Sequence, residues 1–339
     1  MPSRLGPLDA PGNPRVDFPS RWSWELTPLS ERSVIGFAAA VLVLPLILHG
    51  AARAADSGGR PPITGIADVR LFITDVADAH TFYEKTVGLP VDSRCGSREI
   101  VCLNVNSRQK LELESVPAPA PFNLVARITF ATPNVALMRR YLTSKGLTPG
   151  SVSTEPGGAR RFEVKDPEGH AIAFLEAAGG SGGSATRAAP GQTSVKLIHA
   201  GFIVRDRQAE DHFYKDILGF HLYWQGGMKE GENSWVSMQV PDGTDWLEYM
   251  LNIPASADRH TRGVMNHFAL GVVSIAAARK QLLDNGWQPG EAPKIGRDGK
   301  WQLNLYDPDE TRVEFMEFTP VERPCCSEFT GTHPSATAP

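Results

Sequence analysis

A long internal repeat constrains the fold of this 339-residue chain more than any other feature. The segment ADVRLFITDVADAHTFYEKTVGL begins at Ala67 and is matched at an offset of 131 residues by IHAGFIVRDRQAEDHFYKDILGF, which begins at Ile198. Farther along, FEVKDPEGHAIAFLEA from Phe162 is matched by LNLYDPDETRVEFMEF from Leu303 at an offset of 141 residues. The repeat predicts two homologous domains, at residues 60–178 and 195–318.

The segments around the two copies differ from them in composition. Residues 179–194 are rich in Gly, Ser and Ala, which is typical of a flexible linker. Residues 319–339 are rich in Pro, Ser and Thr and include the adjacent Cys325 and Cys326, and we expect this tail to be disordered.

Each copy is itself a repeat of one strand, one helix and three further strands. In the second copy, apolar periodicity and the helix-ending residues Gly219 and Gly286 predict this pattern twice. The predicted strands are 195–204, 220–225, 234–240 and 246–252 in the first half and 265–273, 300–306 and 311–318 in the second, which is one strand short of the full pattern. The predicted helices are 208–218 and 275–285. The fold class is therefore α+β, with paired βαβββ halves in two tandem domains.

The N-terminal 54 residues have the features of an export signal. An apolar run, VIGFAAAVLVLPLIL at residues 34–48, follows Arg21 and Arg32 and precedes Ala52-Arg53-Ala54, a small-x-small cleavage pattern. A membrane span needs about 20 apolar residues, so a cleaved signal is favoured over an anchor. We expect a periplasmic or secreted protein that begins near Ala55 and has no stable membrane association after cleavage.

Composition narrows the class of partner and raises the question of disulfides. The net charge is −4, with 34 basic and 38 acidic residues mixed along the chain, which excludes a basic nucleic-acid surface. Export would place Cys95 and Cys102 in an oxidising compartment, where they would form a short-loop disulfide or remain two half-buried thiols in neighbouring strands.

Four potential metal ligands interrupt the apolar strands of the second domain at corresponding places in its two halves. His199 and His267 lie in the first strand of each half, and Glu248 and Glu314 lie in the last strand. A single strand histidine is more often a hydrogen-bonded core residue, and a strand glutamate usually faces solvent. Four at matching positions favour a cation, because a buried carboxylate is costly without compensation. Two imidazoles and carboxylates suit Fe, Mn, Ni or Zn.

These motifs together resemble the vicinal oxygen chelate superfamily, which includes glyoxalase I, the bleomycin- and fosfomycin-resistance proteins and the extradiol dioxygenases. The resemblance covers about residues 60–318 and implies cup-shaped mixed sheets. It places the ligands at His199, His267 and Glu314, with Glu248 at a fourth position or acting as a general base. It also implies that Asn252, which matches a glutathione-contacting Asn of glyoxalase I, contacts the substrate. Trp246 and Met250 share the strand face of Glu248, so they either line the substrate pocket or belong to the core.

The resemblance further implies one divalent ion per chain, in the second domain. At the corresponding positions the first domain has Asp68, Arg127 and Ala173, so its site is expected to be lost. Ile203 stands where glyoxalase I has Arg, and Asn304 stands where the dioxygenases have Tyr, so no single activity is selected.

Two classes of function follow from the resemblance. The first is an exported metal-dependent enzyme of lyase, isomerase or dioxygenase type, acting on a small substrate that chelates the ion through two adjacent oxygens. The alternative is a small-molecule binding protein of the bleomycin-resistance type, without turnover. Either would act as a monomer or a homodimer, and the retained ligand set favours the enzyme.

Overall fold

The computed structural model describes residues 59–337 apart from Arg94, 96–98, Ala120 and 180–187. All of the described residues lie within one compact unit, Ala55–Pro339. The predicted export signal and part of the predicted linker therefore lie outside the described residues. Within them, no helix is both long and apolar enough to cross a membrane.

The first domain is a seven-stranded mixed sheet in the order β2-β3-β1-β4-β7-β6-β5. The strands are β1 Gly65–Ile73, β2 Ile100–Asn104, β3 Lys110–Ser115, β4 Val125–Ala131, β5 Ser153–Thr154, β6 Arg160–Lys165 and β7 Ala171–Glu176. Helix α1, Val76–His80, continues as a π-helical turn, Thr81–Thr86, and helix α2 is Val135–Ser144.

The second domain is an eight-stranded sheet in the order β13-β14-β15-β12-β8-β11-β10-β9. Its strands are β8 Leu197–Ile203, β9 His221–Gly226, β10 Trp235–Gln239, β11 Trp246–Met250, β12 His267–Val272, β13 Lys294–Ile295, β14 Trp301–Tyr306 and β15 Arg312–Glu317. Helix α3, Arg207–Asp211, continues as a π-helical turn, His212–Ile217, and is followed by α4, Arg259–Met265, and α5, Ile275–Asp284. Two curled mixed sheets in tandem confirm the predicted fold class.

The two domains also share an irregularity of the first strand. In β1 the register with β4 shifts between Ile66 and Asp68, and in β8 the register with β12 shifts between Leu197 and His199. One extra residue in a strand is a β-bulge, which redirects the side chain that follows it. The bulge therefore directs Asp68 in the first domain and His199 in the second.

One apolar core joins the two domains. Phe130 of the first domain packs edge-on against Phe220 of the second, with 5.1 Å between ring centroids. Two equivalent polar contacts flank this core. The Tyr83 hydroxyl donates to Asp307 Oδ2 at 2.8 Å, and the Tyr214 hydroxyl donates to Asp166 Oδ2 at 3.1 Å. The Phe-Tyr and Asp-Pro motifs of the sequence repeat thus meet across the domain boundary.

The residues after β15 are ordered, and the expectation of a disordered tail is wrong for them. Residues 319–337, the C-terminal strap, run beside the edge strand β9. The Thr330 amide donates to the Tyr223 carbonyl at 3.0 Å, and the Trp224 indole donates to the Cys325 carbonyl at 3.2 Å. These hydrogen bonds satisfy polar groups of the strap and cover the edge of the sheet. The composition of the segment gives no sign of them.

All four cysteines are paired. Cys95 and Cys102 form a disulfide with 5.7 Å between their Cα atoms, as the short-loop alternative predicted. The adjacent Cys325 and Cys326 of the strap are also joined.

Candidate metal centre

The two predicted histidine ligands face each other from neighbouring strands. β8 and β12 are antiparallel, and both His199 and His267 have no exposed surface. Their Nε2 atoms are 3.1 Å apart. The bulge before His199 aims its ring at the same side of the sheet as His267.

Two carboxylates complete the cluster from the strands on either side. Parallel pairing places β11 beside β8 and β15 beside β12. Glu248 Oε2 lies 3.1 Å from His267 Nε2 and 3.9 Å from His199 Nε2. Glu314 Oε2 lies 3.4 Å from His199 Nε2 and 3.7 Å from His267 Nε2. All four residues predicted as ligands are therefore brought together, on the concave face that we call the second cup.

The electrostatics of the second cup favour two carboxylates and a neutral His267. Burial would raise the pKa of Glu314, but the nearby Arg312 charge and the hydrogen bond with His199 lower it to about 2. Burial also opposes ionisation of Glu248, but the hydrogen bond with His267 and the electrostatic interactions with the two imidazoles lower its pKa. Burial and Arg312 lower the pKa of His267 to about 4, against the effect of Glu248.

The arrangement fits a divalent ion. Protein ligands lie about 2.0–2.2 Å from a bound transition ion, so donors around one ion are roughly 3 Å apart, as the described contacts of 3.1–3.9 Å are. His199 Nδ1 is buried and has no hydrogen-bond partner among the described residues. His267 Nδ1 lies 3.2 Å from the Met265 carbonyl, and if it donates there its Nε2 lone pair faces the cluster. A cation at this place would replace the hydrogen bonds that join the two imidazoles to Glu248 and Glu314 and would compensate both buried carboxylates.

Small and aromatic neighbours hold the imidazoles in place. Gly201 lies opposite His267 in the β8–β12 ladder, and a Cβ at that position would be 2.3 Å from His267 Cε1. Trp246 stacks on His199 with 4.7 Å between ring centroids. Trp246 was predicted to line the substrate pocket or to belong to the core, and it forms a wall of the second cup.

The second cup also contains a buried lysine that the sequence analysis missed. Lys300 has no exposed surface, donates to the Tyr223 hydroxyl at 3.1 Å and lies over the Trp246 ring at 4.7 Å. Burial lowers its pKa to about 8, against the charges of Asp298 and the two cup glutamates. Phe329 of the strap closes the cage, at 5.0 Å from Lys300 Nζ to the ring centroid. The only sign of this residue in the sequence is a lysine directly before the strand β14.

The remaining predicted contact residues differ from one another. Met250 is buried on β11, two residues from Glu248. Asn252 lies beyond the end of β11, is exposed and has a φ of 63°. The structure therefore does not place Asn252 on the strand face of Glu248, because β11 ends at Met250 and Asn252 itself has a left-handed backbone conformation.

The cup of the first domain contains ion pairs in place of the ligand set. Arg127 contacts Asp68 at 3.3 Å and Glu112 at 2.7 Å, and Arg161 contacts Asp68 at 2.8 Å. Burial would raise the pKa of Glu112, but Arg127 and Arg70 lower it. Ala173 lies beside Thr129, where the second cup has Glu314 beside Ala269. Guanidinium groups thus supply the positive charge that the carboxylates of this cup need.

Comparison with known proteins agrees with the geometry. A sequence model described as the Glyoxalase/Bleomycin resistance protein/Dioxygenase superfamily matches residues 196–315. The second domain belongs to this superfamily. The matched span contains all four residues of the cluster, and the two curled sheets fit the two-domain form of the superfamily. No curated protein matches the sequence.

Solved structures with the superfamily fold cover most of this chain. Homoprotocatechuate 2,3-dioxygenase from Arthrobacter globiformis is 18% identical, with a TM-score of 0.59 over 80% of this chain and 86% of that chain. The Mn(II)-bound glyoxalase from Novosphingobium aromaticivorans is 17% identical, with a TM-score of 0.59 over 76% of this chain and 83% of that chain. A variant of homoprotocatechuate 2,3-dioxygenase from B. fuscum is 19% identical, with a TM-score of 0.55 over 77% and 73%. At these identities the likeness shows the fold.

Proposed function

We propose that the second domain is a metal-dependent enzyme that acts on a small substrate with two adjacent oxygen atoms. The observation that carries the proposal is a buried cluster in which the Nε2 atoms of His199 and His267 lie 3.1 Å apart and the carboxylates of Glu248 and Glu314 lie 3.1–3.9 Å from them. His199, His267 and Glu248 each offer a ligand atom within 4.8 Å of the others. The superfamily match and the fold shared with a Mn(II)-bound glyoxalase support it. Fe, Mn, Ni and Zn all suit this donor set.

Four protein donors favour proton transfer over oxygen chemistry. If all four bind an octahedral ion, two positions remain, which a substrate can fill with two adjacent oxygens. A bound divalent ion would polarise those oxygens and stabilise negative charge that develops on them. This count favours an isomerase or lyase type of reaction, since a dioxygenase needs a further position for oxygen.

Glu248 is the residue we assign to proton transfer. Its side chain is 14% exposed, whereas that of Glu314 is 4% exposed. Its pKa is lowered, so the carboxylate is ionised at neutral pH and able to accept a proton. Glu248 is thus the one of the four donors that would take up the proton, while the enclosed His199, His267 and Glu314 would continue to hold the ion.

Other residues of the second cup would shape and close the site. Trp246 and Tyr223 line it, and Phe329 of the strap excludes water from it. Lys300 would supply a positive charge near the substrate oxygens, because it lies on the same aromatic wall that stacks on His199.

Metal content of the purified protein tests the proposal. After loading with Fe(II), Mn, Ni or Zn, Glu314→Ala and His267→Ala should each lower the bound metal by one ion per chain, because the remaining side chains hold it poorly. Asp68→Ala is the matched control in the first cup and should leave the metal content unchanged. Wild-type protein that retains no ion in this site after loading would overturn the proposal and favour a metal-free binding protein.

We also propose that the protein is exported. The apolar run at residues 34–48 and the Ala52-Arg53-Ala54 pattern support this, and two disulfides suit an oxidising compartment. N-terminal sequencing of secreted or periplasmic protein should find a start near Ala55. Protein that starts at Met1 and remains in membranes would exclude the signal peptide.

A further inference from the structure

A second group of potential ligands lies where the two domains meet, away from the second cup. Asp166 and His170 come from the Asp-Pro turn of the first domain, and Glu210 comes from helix α3 of the second. One ligand atom of each lies within 4.8 Å of the others. His170 Nδ1 is 2.7 Å from Asp166 Oδ2.

Glu210 is the unusual member of this group. It has no exposed surface, and its Oε2 atom is buried without a hydrogen-bond partner among the described residues. Its Oε1 atom accepts from the Glu168 amide at 3.1 Å. A buried carboxylate next to a second carboxylate is costly unless a proton or a cation compensates it.

The equivalent corner on the other side of the molecule serves as an internal reference. There Asp307 takes the place of Asp166, and Ala79 and Thr311 take the places of Glu210 and His170. Asp307 accepts from the Tyr83 hydroxyl at 2.8 Å and from the Thr311 amide at 2.8 Å. At that corner Asp307 and the buried Asp309, which accepts from the Thr74 amide and hydroxyl, join the domains through ordinary hydrogen bonds. The join itself therefore does not require counterparts of Glu210 and His170.

A third difference between the corners is a phenol. Tyr249 occupies the position of Leu113, by the pairing of β11 with β8 and of β3 with β1. Tyr249 follows Glu248 on β11, so it faces the opposite side of the sheet from the second cup. It is fully buried, and its hydroxyl has no partner among the described residues. Burial and the charges of Asp211, Glu210 and Asp166 raise the pKa of this phenol.

We propose that Asp166, His170 and Glu210 form a second divalent-cation site that joins the two domains. One imidazole with two carboxylates is a donor set for a transition ion such as Zn²⁺. Tyr214 donates to Asp166 at 3.1 Å, and Phe202 stacks on the His170 ring with 4.1 Å between centroids. These contacts orient two of the three ligands, as outer contacts do in metal sites.

Charge supports a cation at this corner. Asp166 and Glu210 place two buried carboxylates beside one imidazole, that of His170. A divalent ion bound among them would compensate both negative charges. The expected count of one ion per chain refers to the two cups alone. An ion at this corner would raise the count to two per chain.

Zinc binding to the full chain, stripped of metal and then titrated, tests the proposal. Wild-type protein should bind two Zn²⁺ ions per chain by calorimetry and by metal analysis after desalting. Glu210→Ala and His170→Thr introduce the residues that the opposite corner has at the equivalent positions. Both variants should therefore fold. Each should lose one ion, and Glu210→Gln, which keeps the size of the side chain, should lose it too.

A variant of the second cup separates this proposal from the proposed function. The Glu314→Ala variant should keep the corner ion, so a chelator should lower the melting temperature of this variant. The double variant Glu210→Ala/Glu314→Ala should bind no zinc, and a chelator should not change its melting temperature. If Glu210→Ala binds as many ions as wild type, the corner site is overturned and the proposed function stands. If Glu314→Ala binds as many ions as wild type while Glu210→Ala loses one, the corner site stands and the proposed metal site of the second cup is overturned.

Discussion

Gly201 shows how closely the second cup is fitted around its ligands. A Cβ at this position would lie 2.3 Å from Cε1 and 2.7 Å from Nδ1 of the His267 ring. In the first domain the same strand position is Arg70, which takes part in the ion pairs of that cup. A glycine is therefore needed where an imidazole must lie against the neighbouring strand.

Gly201→Ala should weaken metal binding without unfolding the domain. Overpacking of this kind costs about 1–3 kcal/mol, and if the cost is borne by the position of the His267 ring, metal affinity falls by roughly ten- to a hundredfold. Competition with a chromogenic chelator measures the change. Gly290→Ala is the control, because a Cβ there meets nothing within 4 Å. Equal affinities for the two variants would mean that the ring position does not depend on Gly201.

Lys300 should make stability depend on pH in the alkaline range. Its pKa is about 8 in the folded protein and 10.5 when solvated, so the unfolded chain holds the proton over a range where the folded protein has released it. The free energy of unfolding therefore rises as pH increases from about 8 to 10.5, by up to about 3 kcal/mol. Below pH 8 Lys300 is protonated in both the folded and the unfolded protein, so the cost of burying its charge lowers the free energy of unfolding in full.

Comparison of wild type with Lys300→Met isolates this effect. Relative to the variant, wild-type protein should gain stability between pH 8 and 10.5, measured by urea unfolding at each pH. Lys280→Met is the control, because the Lys280 side chain is 77% exposed on α5. A wild-type-minus-variant difference that stays flat across this range would contradict the assignment.

The four candidate ligands were predictable from sequence because they break apolar strands at matching places in two halves. His199, His267, Glu248 and Glu314 all lie on one face, as strand alternation requires. Lys300 was not predictable, because its cage comes from Tyr223 on β9 and Phe329 in the strap, far apart in sequence. Asn252 was misplaced because a positive φ just after β11 ends the alternation.

Among the elements, the C-terminal strap departs furthest from the sequence prediction. A segment rich in Pro, Ser and Thr lacks the apolar periodicity that indicates a strand or helix. Its order comes from hydrogen bonds to β9 and β10 and from Phe329, which packs on Tyr223 with 4.8 Å between centroids. Helix α4 and the two-residue strand β13 were also absent from the prediction, because they are short and have no clear periodicity.

Truncation of the strap should open the second cup without removing its ion. A chain that ends at Pro324 keeps the bonds of Val321 and Glu322 to Gly299 but loses Phe329 and His333. Water and chelator should then reach the site, so chelator should remove the ion several times faster than from wild type, at unchanged stoichiometry. Phe329→Ala, which keeps the backbone contacts, should give a smaller increase. An unchanged rate in both variants would show that the strap does not control access.

For the whole molecule, the repeat predicted two domains but not how they join. The Phe-Tyr and Asp-Pro motifs were visible in each copy. In the repeat, however, a Phe-Tyr motif aligns with the other Phe-Tyr motif, whereas in the structure it contacts the Asp-Pro motif of the other domain. The sequence comparison therefore could not reveal that Tyr83 meets Asp307 and Tyr214 meets Asp166. These contacts and the shared core come from packing of complete sheets.

The shared core predicts that the two domains unfold together. Phe130–Phe220 and the Tyr83–Asp307 hydrogen bond join domains that would otherwise melt separately. Calorimetry should show one transition for the Ala55–Pro339 unit. Tyr83→Phe removes the donor to the buried Oδ2 atom of Asp307, which should lower the free energy of unfolding by about 1–3 kcal/mol and shift that whole transition. Two transitions, only one of which responds to Tyr83→Phe, would mean that each domain is stable alone and that the core between them contributes little.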